Sequence, residues 1–268
     1  MSEDPKSWIG RTRAQPATLD AEVARRYAAA VGASLDVEAT FPPLGHWAYF
    51  NDAVEPANLG PDGHPRRGLF MPASPLPRRM FASGTITFHA PLGLGAPARL
   101  SVTVTDVRQR TGRSGELLLV DVKRELAQLG GVRLTEVQTI AYRAAGEPTP
   151  AVAPAAAPPA GEAWRPGVVD LFRYSAATYN GHRIHYDRAY ATGEEGYPDL
   201  VVHGPFTATK LYMLARRVAG APLATFSFRA LAPMFVDQPI YLREGDEPNT
   251  VVAVRCDGEV GMSASFTA

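Results

Sequence analysis

Hydrophobic and polar residues repeat with two different periods in the first part of the chain. Apolar residues recur every four positions between Thr18 and Val31, which predicts an amphipathic helix capped by Thr18 and ended by Gly32. Segments 85–90, 100–105, 118–123 and 132–143 instead alternate apolar and polar residues, as half-buried strands do. The glycines within 111–115 suit a hairpin between two of these strands. This region therefore predicts one helix followed by an antiparallel sheet.

The C-terminal region repeats the same plan. A helix is predicted from Pro205 to Val218, with a stop at Gly220. Alternating segments that predict strands follow at 226–230, 252–254 and 260–266. Two successive units of helix and antiparallel sheet predict a duplicated α+β fold. Each sheet is expected to wrap one long helix, and the two sheets are expected to join edge to edge as a pseudo-dimer.

A segment rich in proline and alanine separates the two units. Residues 146–163 contain repeated prolines, which remove hydrogen-bond donors and favour extended backbone. We expect this segment to be a linker between an N-terminal unit, residues 1–145, and a C-terminal unit, residues 164–268.

Charge and cysteine content narrow the possible partners. Lys and Arg number 27, as do Asp and Glu, so the chain has no net charge to attract nucleic acid or an anionic membrane. The single cysteine, Cys256, excludes an intramolecular disulfide framework and a multi-thiolate zinc site. The acidic start is unlike a secretory signal, and no apolar run reaches the roughly 20 residues that cross a bilayer. We expect a soluble, cytoplasmic protein.

Three of the six histidines lie in one short stretch of the C-terminal unit: His182, His185 and His203. Imidazole is the side chain best suited to proton transfer near neutral pH. His203 is followed by Gly204 and Pro205, and a helix that begins there presents the Gly204 N–H to an anion. The sequence thus predicts a base and an oxyanion stabiliser in one site.

These residues resemble a known family, the MaoC-type (hydratase-2) enoyl-thioester hydratases and dehydratases with the double hot-dog fold. Its motif places a histidine two positions before an aspartate, matched by His185 and Asp187, and a later His-Gly pair, matched by His203 and Gly204. Segments 75–84 and 111–115 are similar to the branch that contains mesaconyl-C4-CoA hydratase, itaconyl-CoA hydratase and mitochondrial-type 3-hydroxyacyl-thioester dehydratase.

The resemblance implies reversible hydration of a short α,β-unsaturated acyl-CoA. The expected reaction converts 3-methylfumaryl (mesaconyl-C4)-CoA to citramalyl-CoA, with itaconyl-CoA hydration or 3-hydroxyacyl-thioester dehydration as alternatives. Two further alternatives are a hot-dog thioesterase, in which Asp199 or Glu195 would serve as the carboxylate, and a non-catalytic acyl-CoA-binding protein. No cofactor beyond the CoA of the substrate is implied, and a homodimer is expected.

One position departs from the family pattern. Asn180 stands five residues before His185, where the broader family has an acid, and an amide cannot remove a proton from water. Proton transfer is therefore assigned chiefly to His185, with the Asn180 amide orienting the water or the imidazole. The Gly204 N–H is expected to hold the thioester oxyanion, and His182 is a candidate second titrating group.

Other polar residues have less specific assignments. His203 is interpreted as an orienting or substrate-binding residue, and Arg183 as a partner for a substrate carboxylate. Asp187 is interpreted as a helix N-cap. Candidates for the CoA phosphates, by charge alone, are Arg78, Arg79 and Lys210.

The remaining histidines, His46, His64 and His89, lie outside any motif and are assigned structural roles. No metal site is predicted, because the histidines lack a matching carboxylate or thiolate set. The N-terminal unit has no counterpart of the histidine motif. We therefore expect one active site per chain, with the first unit shaping the acyl tunnel and taking no part in the chemistry.

Overall fold

The computed structural model describes residues 4–38, 41–112 and 115–268. The first half contains β1 (Thr12–Thr18), α1 (Ala21–Val31), β2 (Arg78–Phe88), β3 (Pro97–Gly112), β4 (Gly115–Gln128) and β5 (Gly131–Arg143). The second half contains β6 (Glu162–Trp164), α2 (Val168–Thr178), α3 (Arg188–Gly193), α4 (Gly204–Ala219), β7 (Thr225–Ala230), β8 (Ile240–Glu244), β9 (Thr250–Val254) and β10 (Val260–Thr267). Single 3₁₀ turns cover Pro5–Trp8, Gly45–Ala48, Pro56–Asn58 and Arg183–His185.

All ten strands form one antiparallel sheet in the order β1-β3-β4-β5-β2-β7-β10-β9-β8-β6. The order within the second half mirrors that of the first, so β1 corresponds to β6 and β2 to β7. The predicted duplication, with two sheets joined edge to edge, is therefore confirmed. The predicted strands of both halves correspond to β2, β3, β4, β5, β7, β9 and β10, except that segment 85–90 runs two residues past the end of β2.

The two halves meet where β2 pairs with β7. Ile86 of β2 lies opposite Phe226 of β7, and both side chains are fully buried. Gly84 lies opposite Phe228, whose ring covers it so closely that a Cβ at position 84 would be 2.5 Å from the ring. The seam between the halves is thus a packed part of the hydrophobic core and of the hydrogen-bonded sheet.

Helix α4 is the long helix enclosed by the second half of the sheet, as predicted. It starts one residue before Pro205, and Gly220 ends it in the left-handed conformation at φ 64°. Phe206, Leu211 and Ala215 form its buried face. Because this helix starts at Gly204, its free N-terminal N–H groups lie next to the histidine-rich segment.

Helix α1 differs from the prediction at its start and in its packing. Asp20, not Thr18, is the N-cap, and its carboxylate accepts hydrogen bonds from the N–H groups of Glu22 and Val23. Thr18 instead ends β1, a strand that went unpredicted because its sequence is largely polar. The helix packs on α2 and on the turn Gly45–Ala48.

The first half has no long helix in the position that α4 occupies before β7. The equivalent stretch before β2 consists of short turns and irregular backbone between residues 41 and 77, where repeated prolines prevent a helix. The expectation of one enclosed long helix per half therefore holds for the second half only. The irregular stretch leaves room for a cavity beside α4.

The segment proposed as a linker lies along the second half. Thr149 donates a hydrogen bond to the carbonyl of Gly196 at 2.7 Å, and Ala155 donates to that of Cys256 at 2.8 Å. Strand β6 begins at Glu162, within the proposed linker. The β3–β4 hairpin pairs Gly112 with Gly115, whereas residues 113 and 114 of the predicted turn lie outside the described residues. Within the described ranges, every helix is too short or too polar to cross a membrane.

Candidate active site

A cavity of about 1060 Å³ lies between the two halves and is lined by residues of both. Asn180, His182, His185 and Gly204 line it from the second half. The first half contributes His64 and several arginines. The structure therefore brings the predicted base and the predicted oxyanion donor to one cavity. The domain boundaries and the roles of the two halves stay predictions.

The local backbone places His185 at the cavity wall. Helix α2 ends at Thr178, and Tyr179 adopts the left-handed conformation at φ 52°, which turns the chain. Asn180 follows, and its side-chain oxygen accepts a hydrogen bond from the His182 N–H at 3.0 Å. This turn leads into the 3₁₀ turn that ends at His185.

His185 is held in the tautomer that a general base needs. Its Nδ1 lies 2.7 Å from the carbonyl oxygen of Val201, and a carbonyl can only accept, so Nδ1 carries the proton. Nε2 is then left with a free lone pair. Burial lowers the pKa of His185 to about 4, so the ring is neutral at physiological pH. The side chain is fixed, neutral and able to take a proton.

His203 lies behind His185 and does not line the cavity. Its ring stacks on that of His185 with centroids 3.7 Å apart, and its Nε2 forms a 2.8 Å hydrogen bond with Ser175. Burial and the neighbouring His185 hold the pKa of His203 well below its ordinary value. The side chain is completely buried, so direct substrate binding by His203 is wrong. The orienting role of His203 stays a prediction, with which its packing against His185 is consistent.

Asn180 lines the cavity, but its side-chain oxygen is occupied by the turn that it forms with His182. An amide nitrogen remains to face the cavity, and it can only donate. The observed contact is the turn role of an Asn-Gly pair, and the orienting role stays a prediction.

The histidine cluster contains a member that the sequence did not reveal. The ring of His64, from the first half, lies 4.3 Å from that of His182 between centroids, and His182 lies 5.4 Å from His185. His64 also forms a 3.2 Å hydrogen bond through Nδ1 with Asp62. The structural role predicted for His64 did not place it at the site, where the structure shows it lining the cavity. Only long-range folding brings it to the second half, so no local motif marked it.

Three groups of this cluster contain the donor types of a metal site. Asp62, His64 and His182 each offer a ligand atom, and these atoms lie within 4.8 Å of one another. No local sequence motif marks such a set, because the carboxylate and one histidine come from the first half. Asp62 is already hydrogen-bonded to the ring of His64, whereas His182 Nε2 is buried without a partner among the described residues.

The N-terminus of α4 faces the cavity through Gly204. Pro205 has no N–H, so the N–H groups of Gly204 and Phe206 are the first free donors of the helix. A Cβ at position 204 would meet Phe81 at 3.6 Å, an ordinary contact. The glycine is thus compatible with close approach of a thioester oxygen, although the space itself would accept alanine.

Arginines dominate the charged lining of the cavity. The lining arginines are Arg13, Arg66, Arg67, Arg79, Arg124 and Arg143, and within the described residues the only acidic lining side chain is Asp52. Arg13 pairs with Asp52 at 2.5 Å, and Arg67 donates to the carbonyls of Ser74 and Pro77. Among the described residues, the side chains of Arg79 and Arg124 form no hydrogen bond or ion pair. Of these two, Arg79 is the one whose charge acts on His64 and His182, so it is the candidate cation for an anionic group bound beside the histidines.

The other predicted basic ligands are occupied elsewhere. Arg183 donates two hydrogen bonds to Asp187 and one to the Pro61 carbonyl, and it does not line the cavity. Arg78 is buried, lies 3.7 Å from Glu195 and donates to the Gly146 carbonyl. The assignments of Arg183 to a substrate carboxylate and of Arg78 to phosphate are therefore wrong. Lys210 donates to the Val31 carbonyl at 2.8 Å.

The carboxylates near the histidine motif also form structural contacts. Asp187 caps α3 by accepting from the Tyr190 N–H, as predicted. Asp199 pairs with Arg188 at 2.6 Å, and Glu195 pairs with Arg78. Neither Asp199 nor Glu195 lines the cavity. The carboxylate that a thioesterase needs is thus not supplied by either of its two candidates.

Comparisons with known proteins agree with this architecture. A mesaconyl-C(4)-CoA hydratase of Chloroflexus aurantiacus is 42% identical, with 98% of each chain covered. HtdX from Mycobacterium tuberculosis has a similar structure, with a TM-score of 0.70, 21% identity, and 96% of this chain and 99% of that chain covered. Another protein of that organism, described as a double hot-dog fold, has a TM-score of 0.58 and 13% identity, with 96% and 95% covered.

A family profile gives the same classification. Residues 44–236, most of both halves, match the profile of hydroxyacyl-thioester dehydratase type 2. The matched range contains the histidine motif, the start of α4 and the His64 loop. Together with the full-length relative, this match means that the chain belongs to the hydroxyacyl-thioester dehydratase type 2 family, whose fold is the double hot dog.

Proposed function

We propose that this protein is a hydro-lyase that hydrates 3-methylfumaryl (mesaconyl-C4)-CoA to citramalyl-CoA. The observation that carries the proposal is the 42% identity, along essentially the whole of both chains, to a mesaconyl-C(4)-CoA hydratase. The neutral, oriented His185 beside the N-terminus of α4 supports the same chemistry. The substrate is an acyl-CoA, and the reaction needs no further cofactor.

The proposed reaction uses two fixed features of the site. His185 Nε2 removes a proton from water as the water oxygen bonds to Cβ of the enoyl group. The π electrons shift toward the thioester oxygen, where the Gly204 N–H and the positive end of the α4 dipole stabilise the charge. A donor aligned in this way is typically worth about 3 kcal/mol in the transition state. Protonation of Cα completes the addition.

The charge of the cavity favours an acyl group that carries a carboxylate. In 3-methylfumaryl-CoA the free carboxylate is attached to Cβ, which is the carbon that receives water. Arg79 lines the cavity without a protein partner, and its charge acts on both His64 and His182. A guanidinium in that place binds a carboxylate through paired hydrogen bonds. An unsubstituted fatty acyl chain would leave this cation unpaired.

Dehydration of a 3-hydroxyacyl thioester is the second candidate. The family description names that activity, and a cavity of about 1060 Å³ has room for a longer acyl chain. Itaconyl-CoA, which also carries a carboxylate, is a third substrate to test. We further propose that the protein acts in the cytoplasm as a homodimer, with the first half shaping the acyl tunnel.

An assay with several thioesters tests these proposals. Purified protein is incubated with mesaconyl-C4-CoA, itaconyl-CoA, crotonyl-CoA and a longer trans-2-enoyl-CoA, and enoyl absorbance and free thiol are followed together. Loss of absorbance fastest with mesaconyl-C4-CoA supports the proposal. A preference for the longer chain would favour the dehydratase, release of free CoA would indicate a thioesterase, and binding without turnover would indicate a binding protein.

A further inference from the structure

The loop that carries Asp62 and His64 presents a hydrogen-bonded acid and imidazole to the cavity. Asp62 accepts from the His64 backbone N–H at 3.0 Å and contacts its ring Nδ1 at 3.2 Å. This leaves the far nitrogen of His64, Nε2, as the atom available for proton transfer. The loop is fixed to the second half, because the Arg183 N–H donates to the Asp62 carbonyl at 2.9 Å.

Hydration requires proton transfer at two different atoms of the substrate. Water loses a proton at Cβ, and Cα gains one. On its own segment His185 has no acidic partner for this task, because Asn180 holds the position of the usual carboxylate. His182 lies between His185 and His64, and its Nε2 is buried without any partner in the described structure.

We propose that Asp62 and His64, supplied by the first half, form the second acid/base group of the site and are linked to His185 through His182. This inference rests on the proposed function. It reverses the expectation that the first half only binds substrate. The carboxylate that position 180 lacks is supplied instead by Asp62, more than a hundred positions earlier in the chain.

The proton balance of the reaction is complete within this group. One proton of water moves to His185 Nε2 as the O–Cβ bond forms, and the other stays on the new hydroxyl. The proton on His185 passes to His64 through His182 and bridging water, because no direct hydrogen bond joins these rings in the described structure. The imidazolium of His64 then protonates Cα as the electrons held at the thioester oxygen return to carbon. Every histidine ends neutral, and one water molecule has been added.

The charges around His64 suit a transient imidazolium. Burial and the charges of Arg79 and Arg67 disfavour the charged ring and lower the pKa of His64 to about 4, whereas Asp62 favours it. Before substrate binds, the ring is therefore neutral. A substrate carboxylate at Arg79 offsets the repulsion from that guanidinium, so His64 accepts a proton more readily in the complex with substrate.

Conservative variants test this assignment. His64→Gln and Asp62→Asn keep side-chain size and hydrogen bonding but cannot hold the transferred proton. We expect kcat for mesaconyl-C4-CoA to fall about 10²- to 10⁴-fold in His64→Gln and less in Asp62→Asn, with KM nearly unchanged. His89→Gln is the matched control, because His89 is an exposed histidine of the same half whose side chain is hydrogen-bonded to Thr135. Circular dichroism and thermal melts verify the fold of each variant.

Two further measurements separate proton transfer from a structural role. Added imidazole should restore activity to His64→Gly, since the free base can occupy the space that the ring vacates. The double variant His64→Gln/His182→Gln should lose no more activity than His64→Gln alone, because both residues serve one path. Lack of rescue together with additive losses would assign these residues to structure and overturn the proposal.

The outcomes also distinguish this inference from the proposed function. A wild-type protein inactive on every enoyl thioester would refute both. An active wild type with His64→Gln at half its kcat or more would refute the relay alone. Activity that is lost on dialysis against EDTA and restored by Zn²⁺ would assign Asp62, His64 and His182 to a metal ion and likewise overturn the relay.

Discussion

Gly63 and Gly181 form a close backbone contact between the two halves of the site. A Cβ on residue 63 would lie 1.9 Å from the carbonyl oxygen of Gly181, and a Cβ on residue 181 would lie 2.8 Å from the carbonyl oxygen of Gly63. Only glycine fits on either side of this contact. It holds the loop of Asp62 and His64 against the turn that leads to His182.

Gly63→Ala should therefore separate the loop from the turn. The control is Gly10→Ala, because Gly10 has φ +87° against +86° for Gly63, yet a Cβ there meets no atom within 4 Å. Both variants bear the strain of a positive φ, about 1 kcal/mol. We expect Gly63→Ala to cost at least about 2 kcal/mol more in unfolding free energy and to lose most activity. Urea titration measures the first effect, and equal losses in both variants would contradict the interpretation.

His185→Gln should remove the base without unfolding the site. The substituted amide fills a similar space, but it cannot take a proton from water. We expect kcat to fall about 10²- to 10⁴-fold while acyl-CoA binding persists. Stopped assays give kcat, and calorimetric titration with a non-hydratable saturated acyl-CoA gives the affinity. Turnover within a few-fold of wild type would remove His185 from the mechanism.

The pH dependence of kcat/KM should reflect the lowered pKa of His185. Its pKa is about 4 and that of His64 is also about 4, so both rings are neutral and competent above pH 5. We expect kcat/KM to be level from pH 7 to about pH 5 and to fall as the pH approaches 4. A limb centred near 6.5, the ordinary histidine value, would contradict the burial that lowers both pKa values.

The same histidines should make the fold sensitive to acid. In the unfolded chain His185 and His64 bind protons below about pH 6.5, whereas in the folded protein they bind protons only near pH 4. The free energy of unfolding therefore falls as the pH drops from 6.5 to 4. Melting temperatures across the window measure the effect. Activity at low pH is therefore measured by brief dilution from neutral stock, which separates loss of base from loss of fold.

Arg79→Met should change substrate selectivity. It removes the unpaired guanidinium but keeps an apolar stem of similar length. We expect kcat/KM for mesaconyl-C4-CoA to fall about 10- to 150-fold, because a hydrogen bond to a charged group contributes roughly 1.5–3 kcal/mol. For crotonyl-CoA, which has no carboxylate, we expect little change. Arg183→Met is the control, because Arg183 contacts Asp187 and Pro61 outside the cavity and should affect both substrates equally. Parallel losses in Arg79→Met would contradict carboxylate binding.

Glu136→Ala should destabilise the protein more than an exposed substitution does. Glu136 is fully buried and accepts hydrogen bonds from Trp47, His46 and Gln138. Burial acts to raise its pKa, but the His46 hydrogen bond and the Arg124 charge hold the pKa below its ordinary value. Removal of the carboxylate leaves these donors unpaired, at a cost of about 3–5 kcal/mol. Glu247→Ala, at an exposed turn, is the control for denaturant unfolding.

Local sequence patterns predicted the elements whose side chains alternate or repeat clearly. Helix α4 was predicted with its stop at Gly220, and the strands that meet at the seam were predicted from the alternation around Ile86 and Phe226. Strand β1 was missed because its residues are mostly polar and face solvent on one side. The sequence also predicts Thr18 as the cap of α1, because no local pattern marks this residue as the end of a strand.

Only the part of the site that lies within one segment of the chain was predictable. His185 and Gly204 lie near each other in sequence, so their pairing was visible in the motif. His64 and Asp62 reach the cavity through contacts between distant parts of the chain, such as the one between Gly63 and Gly181. The ion pairs of Arg78 with Glu195 and of Arg183 with Asp187 were also not predictable, because the charge of an arginine does not indicate which carboxylate it contacts in the fold.

The seam between β2 and β7 has a consequence for synthesis of the protein. When the ribosome has completed β5, the edge of β2 is still unpaired, because β7 begins more than eighty residues later. Until then the nascent first half exposes an apolar strand edge that can pair with other chains. The second half therefore acts as the intramolecular cover of the first, and translation pauses between Arg143 and Thr225 would promote aggregation.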